Sequence, residues 1–276
     1  NTKLRSVTLF KILAVSFIST INVDSPLEIL SEAPTRVKIL STSPISAFSA
    51  GLEVGFSLFI IYILYTIFFV SVTPPVLTII LTCGYPVGYV IVLIGRSELF
   101  TEHTTLAILP VLDGKKKFSS LMKLWLLIYT GNIAGGYLSV IALVYLGMEM
   151  QIINDSAIYY FAHKLVNHNW MVKMAGGVAA GWLMGLLSWL ITSSGETISR
   201  IFLIFLITSI IGIGTLYHSI VGSMKVFISL FLNIGGITVV DLLEFQTAAT
   251  VGNIIGGTVF VALIKFGFKA SQNQNN

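Results

Sequence analysis

The chain has 276 residues, 55% of them hydrophobic and 10% charged, with a mean hydropathy of +0.91 and a formal net charge of +4. So few charges cannot solvate a globular surface of this size, which excludes a water-soluble domain and identifies an all-α integral membrane protein. The small positive excess reads as membrane topology rather than nucleic-acid binding. The single cysteine, Cys83, excludes an internal disulfide framework and a cysteine-based metal site.

From the N-terminus, residues 8–23 are apolar but short, are interrupted by Lys11 and follow Lys3 and Arg5. They read as an interfacial helix, with a secretory signal as the alternative. A polar linker follows, so residues 1–45 form an N-terminal segment. A span needs about 20 mainly apolar residues. The qualifying runs are 46–69, 75–94, 121–148, 174–191, 201–213 with a continuation from Val226, and 246–268. These six passes make a transmembrane domain over 46–268, followed by a tail over 269–276. Lys115, Lys116, Lys117 and Lys123 crowd the connection before the third pass, whereas the 147–172 connection has Glu149, Asp155 and Lys164 as its one cation. The positive-inside rule makes the first cytoplasmic and the second external. Both termini are then cytoplasmic, in agreement with Lys3, Arg5, Lys11, Arg36 and Lys38 at one end and Lys265 and Lys269 at the other.

The motif Gly-Asn-Ile-Ala-Gly-Gly at 131–136 returns as Gly-Asn-Ile-Ile-Gly-Gly at 252–257, 121 residues on. A half-length repeat in so apolar a chain is the pattern of a duplicated transporter or channel. Gly131, Gly135, Gly252 and Gly256 stand at G-x-x-x-G spacing and are assigned, with Asn132 and Asn253, to helix packing. The same offset sets Gly55 on Gly176 and residues 97–101 on 218–222. Each half has three passes, and an odd number forces the second half to enter the bilayer the other way up.

Residues 76–112 are too long for one span and leave no room for a full loop between two. In their middle lie Arg96, Ser97, Glu98, Thr101, Glu102, His103 and Thr104; the second half repeats the design with Gly214, Thr215, Tyr217, His218, Ser219, Gly222 and Ser223. Backbone that leaves a helix at membrane depth must line a cavity or be buried in protein. The second and fifth helices are therefore expected to be interrupted and to meet near the midplane. Free N–H groups at the half-helix N-termini would favour an anion there.

The residues Glu98-Leu99-Phe100-Thr101, Tyr129-Thr-Gly-Asn-Ile-Ala-Gly-Gly, His218-Ser219-Ile220 and Val251-Gly-Asn-Ile-Ile-Gly-Gly, taken in order, resemble the formate/nitrite transporter family over about 46–268. The resemblance implies an aquaporin-like fold assembled as a homopentamer with one pore per protomer, passing small monovalent weak-acid anions. It implies that His218 is the central pore histidine. Leu99, Phe100 and Thr101 then supply the inner constriction and a hydroxyl facing that histidine, and Tyr89, Met184 and Ile211 fall on pore-lining positions. Three positions depart from the family pattern: Tyr217 stands where a Glu precedes the histidine, Gly181 where the fourth helix carries a pore-facing Asn, and Gly222 where a further Asn follows. This is the pattern of a poorly characterised branch of the family.

His218 has a physical reading of its own. An imidazole at bilayer depth is costly to charge, yet it is the side chain best suited to exchange a proton near neutral pH. Sharing a proton with a weak-acid anion would let that anion pass Phe100 nearly neutral. His163 and His168 read as solvated groups of the external connection; Lys164 there reads as a solvated loop lysine, with attraction of anions at the entrance as its alternative. Glu102 and His103 are a fragment of a metal motif without a second histidine at helical spacing. The expectation is a channel or proton-coupled transporter in the plasma (inner) membrane, without enzymatic activity, metal or cofactor, with an aquaporin-like neutral-solute channel as the alternative. The paired Asn-Pro-Ala motifs of a water channel and the Gly-x-Ser-Gly of an intramembrane serine protease are absent from the sequence.

Overall fold

A computed structural model describes residues 43–263, and every regular element in it is helical. The interfacial helix expected over 8–23, the tail over 269–276 and the end of the last span lie outside the described residues. Helix α1 (Pro44–Phe68) starts where Ser43 accepts the Ile45 N–H and Pro44 opens the first turn. Helices α2 (Pro74–Gly84) and α3 (Pro86–Gly95) form one span with a hitch at Tyr85. Pro86 donates no ladder bond there. The Ser57 hydroxyl of α1 mends the hitch, donating to Tyr85 O at 2.6 Å and accepting the Gly88 N–H at 2.9 Å. Then come α4 (Phe100–Leu106), α5 (Leu109–Leu112), α6 (Phe118–Glu149), α7 (Asp155–Val166), α8 (Trp170–Ser193), α9 (Thr197–Ile213), α10 (Ser219–Phe231) and α11 (Val239–Ile255), which widens into a π-helix over Gly256–Leu263. Among the described residues, Pro44–Phe68, Pro74–Gly95, Phe118–Glu149 and Trp170–Ser193 are long and apolar enough to cross a membrane; α9 and α10 are shorter apolar helices.

The most extensive packing is α1 against α6 and α8 against α11, and small residues permit both crossings. A Cβ on Gly51 or Gly135 would strike the backbone of Asn132 or Phe48; one on Gly181 or Gly256 would strike that of Asn253 or Val178. These contacts relate α6 to α11 by 121 residues, as the repeated motif implies, but they relate α1 to α8 by 130 (Phe48 to Val178, Gly51 to Gly181). The pairing of Gly55 with Gly176 is therefore corrected: Gly55 meets Ser139, whereas Gly176 meets the Tyr217 ring. Gly181, expected at the pore, lies instead in the α8–α11 crossing.

The two interruptions are shorter than the polar clusters suggested, because helix resumes at Phe100 and at Ser219. Each begins with a residue in the left-handed region, Arg96 (φ 62°) and Thr215 (φ 49°). In each the next N–H reaches five residues back, Ser97 to Val92 O at 2.9 Å and Leu216 to Ile211 O at 3.1 Å, which is how a helix end closes on itself. One asparagine then clips each break. Asn132 Oδ1 accepts the Phe100 N–H at 2.8 Å while its amide donates to Glu98 O (2.8 Å) and Ala47 O (2.7 Å). Asn253 Oδ1 accepts the Ser219 N–H at 2.8 Å while its amide donates to Tyr217 O (2.8 Å) and Gly177 O (2.9 Å). The breaks thus correspond at an offset of 119, so the counterpart of His218 is Leu99 and not Ser97.

The 147–172 connection is no simple loop. It contains α7, capped by the Asn154 side chain on the Ala157 N–H, which buries Ala157, Ile158, Phe161, Ala162 and Leu165. His163 and His168 also find partners: the former bonds Gly235 O at 2.8 Å and stacks on Tyr159, and the latter, which is exposed, bonds the Tyr217 hydroxyl at 2.9 Å.

Asn132→Ala or Asn253→Ala strands one N–H and two carbonyls in a buried break, at about 1–3 kcal/mol for each group. Both variants are expected to show a large drop in thermal stability in detergent. Wild-type melting of either would show that its clip does not hold the break.

Candidate functional site

His218 is the N-cap of α10, in extended backbone (φ −93°, ψ 122°), and is 1% exposed. Its Nδ1 accepts the Val221 N–H at 3.4 Å, and its Nε2 lies 2.9 Å from Thr101 Oγ1 in the first turn of α4. With Nδ1 acting as an acceptor, the proton of the neutral ring sits on Nε2 and is donated to Thr101. This bond joins the N-terminal ends of the two resumed half-helices. The Tyr89 ring meets the imidazole edge-on at 5.4 Å, and its hydroxyl pairs with that of Tyr85 at 3.0 Å. The half-helix N-termini offer fewer free N–H groups than expected. Those of Phe100 and Ser219 are taken by the asparagines, and that of Val221 by His218 itself.

A cavity of about 50 Å³ opens beside His218, lined by residues of α1, α2, α7, α9 and α10. Its wall includes Ile211, Gly222 and Tyr85, together with two cations that sequence reading placed elsewhere or overlooked. Lys164, expected as a solvated loop residue, stands on α7 with Nζ 5.6 Å from the Tyr160 ring centre. Lys225 was hidden in a run read as apolar from Val226. Its position seven residues after His218, on the same helix face, was the available signal. Its Nζ lies 5.3 Å from the Tyr85 ring centre and 5.2 Å from that of Phe161. Among the described residues no Asp or Glu lines the cavity.

The remaining expected site residues are distributed around this core. Leu99 is the fully buried N-cap of α4, and the Phe100 ring packs edge-on against Tyr129 at 5.0 Å and Trp125 at 6.4 Å. Met184 is enclosed on α8. Tyr217 sends its side chain away from His218, against Phe245 and the notch left by Gly176, to reach His168. Gly222 is confined by the Phe245 ring, which a Cβ would strike. The carboxylates near the first break serve local contacts: Glu98 pairs with His103, and Glu53 accepts from Ser49 (2.6 Å) and Ser97 (2.9 Å). Among the described residues no group of three or more His, Cys, Asp or Glu could hold a metal ion.

A family model for formate/nitrite transporters matches residues 32–267. The inner membrane protein YfdC of Escherichia coli (strain K12) is 30% identical over 224 residues, 79% of this chain and 69% of that one. A probable formate transporter of Methanothermobacter thermautotrophicus is 26% identical over 200 residues, 65% of this chain and 71% of its own. Among solved structures, an FNT family ion channel superposes with a TM-score of 0.74 at 21% identity, covering 85% of this chain and 91% of that one. A pentameric formate channel with formate bound gives 0.70 at 20% identity, covering 86% and 100%. These two share the fold. With most of its length matched by the family model, the chain belongs to the formate/nitrite transporter family.

Proposed function

We propose that the chain forms a transmembrane pathway for small monovalent anions of weak acids, formate- or nitrite-like, with His218 as its central polar group. The observation that carries this reading is the His218–Thr101 hydrogen bond at the edge of a cavity with two lysines and no carboxylate on its wall. Unpaired cations attract an anion, whereas they would repel a cation and give a neutral solute no advantage. At His218 the anion exchanges its hydration for a hydrogen bond from the ring or for a shared proton. It then passes Leu99 and Phe100 with its charge muted. The pathway is passive or proton-coupled, and it uses neither a cofactor nor enzymatic chemistry.

The duplicated clips support an architecture of six helices in two inverted halves over 46–268, the second and fifth interrupted. The formate channel of the same fold is pentameric, which supports a homopentamer with one pore per protomer. Inner-membrane residence is read from the YfdC relative, and cytoplasmic termini from the lysines at 115–117.

Anion flux into proteoliposomes, measured with formate, nitrite, acetate, lactate and hydrosulfide, is expected to exceed that of empty vesicles for at least one of these. Flux at the empty-vesicle level for all five rules the reading out. His218→Ala is expected to alter selectivity or the pH profile of flux while the protein elutes as wild type does; unchanged transport would remove His218 from the mechanism. Thr101→Val leaves the ring N–H without its acceptor, at about 1–3 kcal/mol. A shifted pH profile of flux with assembly retained is expected, and an unmoved profile would show that Thr101 does not set the state of the ring.

A further inference from the structure

Two lysines lie within the helical body of the molecule and are treated in opposite ways. Lys173 on α8 is 1% exposed and donates to Glu244 of α11 at 2.8 Å, so its charge is cancelled on the spot. Lys225 is partly buried yet makes no ion pair and no hydrogen bond among the described residues. Its ammonium is held between the faces of Tyr85 and Phe161, which steady a cation but leave its charge uncancelled. The nearest wall cation, Lys164, adds a second positive charge, and no carboxylate faces either one across the cavity. A buried charge is tolerated when paired, so this cavity suits an anionic partner that the described residues do not supply.

We propose that Lys225 is the anion-binding residue of this cavity and that, with Lys164, it holds a small monovalent carboxylate or nitrite-like anion before that anion meets His218. This rests on the anion-pathway reading above and adds the site. Lys225 stands two turns along α10 from His218, about 10 Å along the axis, so binding and proton exchange are successive stations on one helix face. The volume of about 50 Å³ exceeds the roughly 10–15 Å³ that one water needs, so the cavity admits a small solute.

The test is equilibrium binding of radiolabelled formate to the detergent-purified chain, run beside formate flux in proteoliposomes. Lys225→Met keeps the length of the side chain and removes its charge. It is expected to raise the half-saturating formate concentration about tenfold to a hundredfold in both assays, the range for losing a hydrogen bond to a charged group. Lys225→Arg should stay within a few-fold of wild type, and Lys164→Met should weaken binding less than Lys225→Met does.

Wild-type formate affinity in Lys225→Met overturns the site; if flux persists in that case, the anion pathway stands without it. Saturable binding that depends on Lys225 in a protein that passes no anion supports the site and removes the conduction reading. Should Lys225→Met not survive purification, unchanged affinity in Lys164→Met overturns the two-lysine site.

Discussion

A helix that stops inside an apolar slab must still satisfy the backbone groups it uncovers, and the organisation of this molecule around its breaks follows from that requirement. Each interruption is closed from one side by a left-handed residue that turns the chain back on its own carbonyl, and from the other by an asparagine on a neighbouring helix. Asparagine suits the task because one planar amide offers an acceptor and two donors at once. It takes the first N–H of the resumed helix, a carbonyl of the break and a carbonyl of the helix packed alongside. That third contact requires the packed helices to approach closely, which explains why glycines at 51, 135, 181 and 256 cluster at the same crossings. Glycine packing and backbone satisfaction are therefore a single device.

With the backbone satisfied in this way, the side chains at the breaks are released for other uses. Leu99 and His218 occupy the same position in their respective halves, one apolar and one polar. The asymmetry between them gives the centre of the molecule a single titratable ring where a strict duplication would place two. Thr101 completes the asymmetry by crossing from one half to engage the ring of the other. The charge distribution follows the same logic. Lys173 has its carboxylate, Glu98 and His103 have one another, and Lys225 alone among these faces an open volume.

The long apolar helices and the two interruptions were legible in the sequence because each depends on local composition, with long apolar runs cut by a few polar residues. The register between halves was only partly legible. The repeated glycine motif sits in α6 and α11, where close packing forbids drift, so its offset of 121 is true for those helices alone. Connections absorb insertions, and the breaks and the α1–α8 pair have slipped to 119 and 130. Helix α7 was missed because twelve residues are too few for a span. Its buried positions 157, 158, 161, 162 and 165 nevertheless carry a helical period that could have been read. Lys225 was missed because a single cation two turns into an apolar segment looks like noise until the fold shows which face it is on.

The burial of His218 has a consequence for discrimination among solutes. The ring is 1% exposed, so an anion that reaches the imidazole must shed part of its first-shell water there. The lysines of the neighbouring cavity wall offer partial replacement. Solutes would then be ranked by how strongly they hold water as much as by charge or shape. Strongly hydrated anions of the same size as formate would be held back at this point even where nothing in the wall repels them.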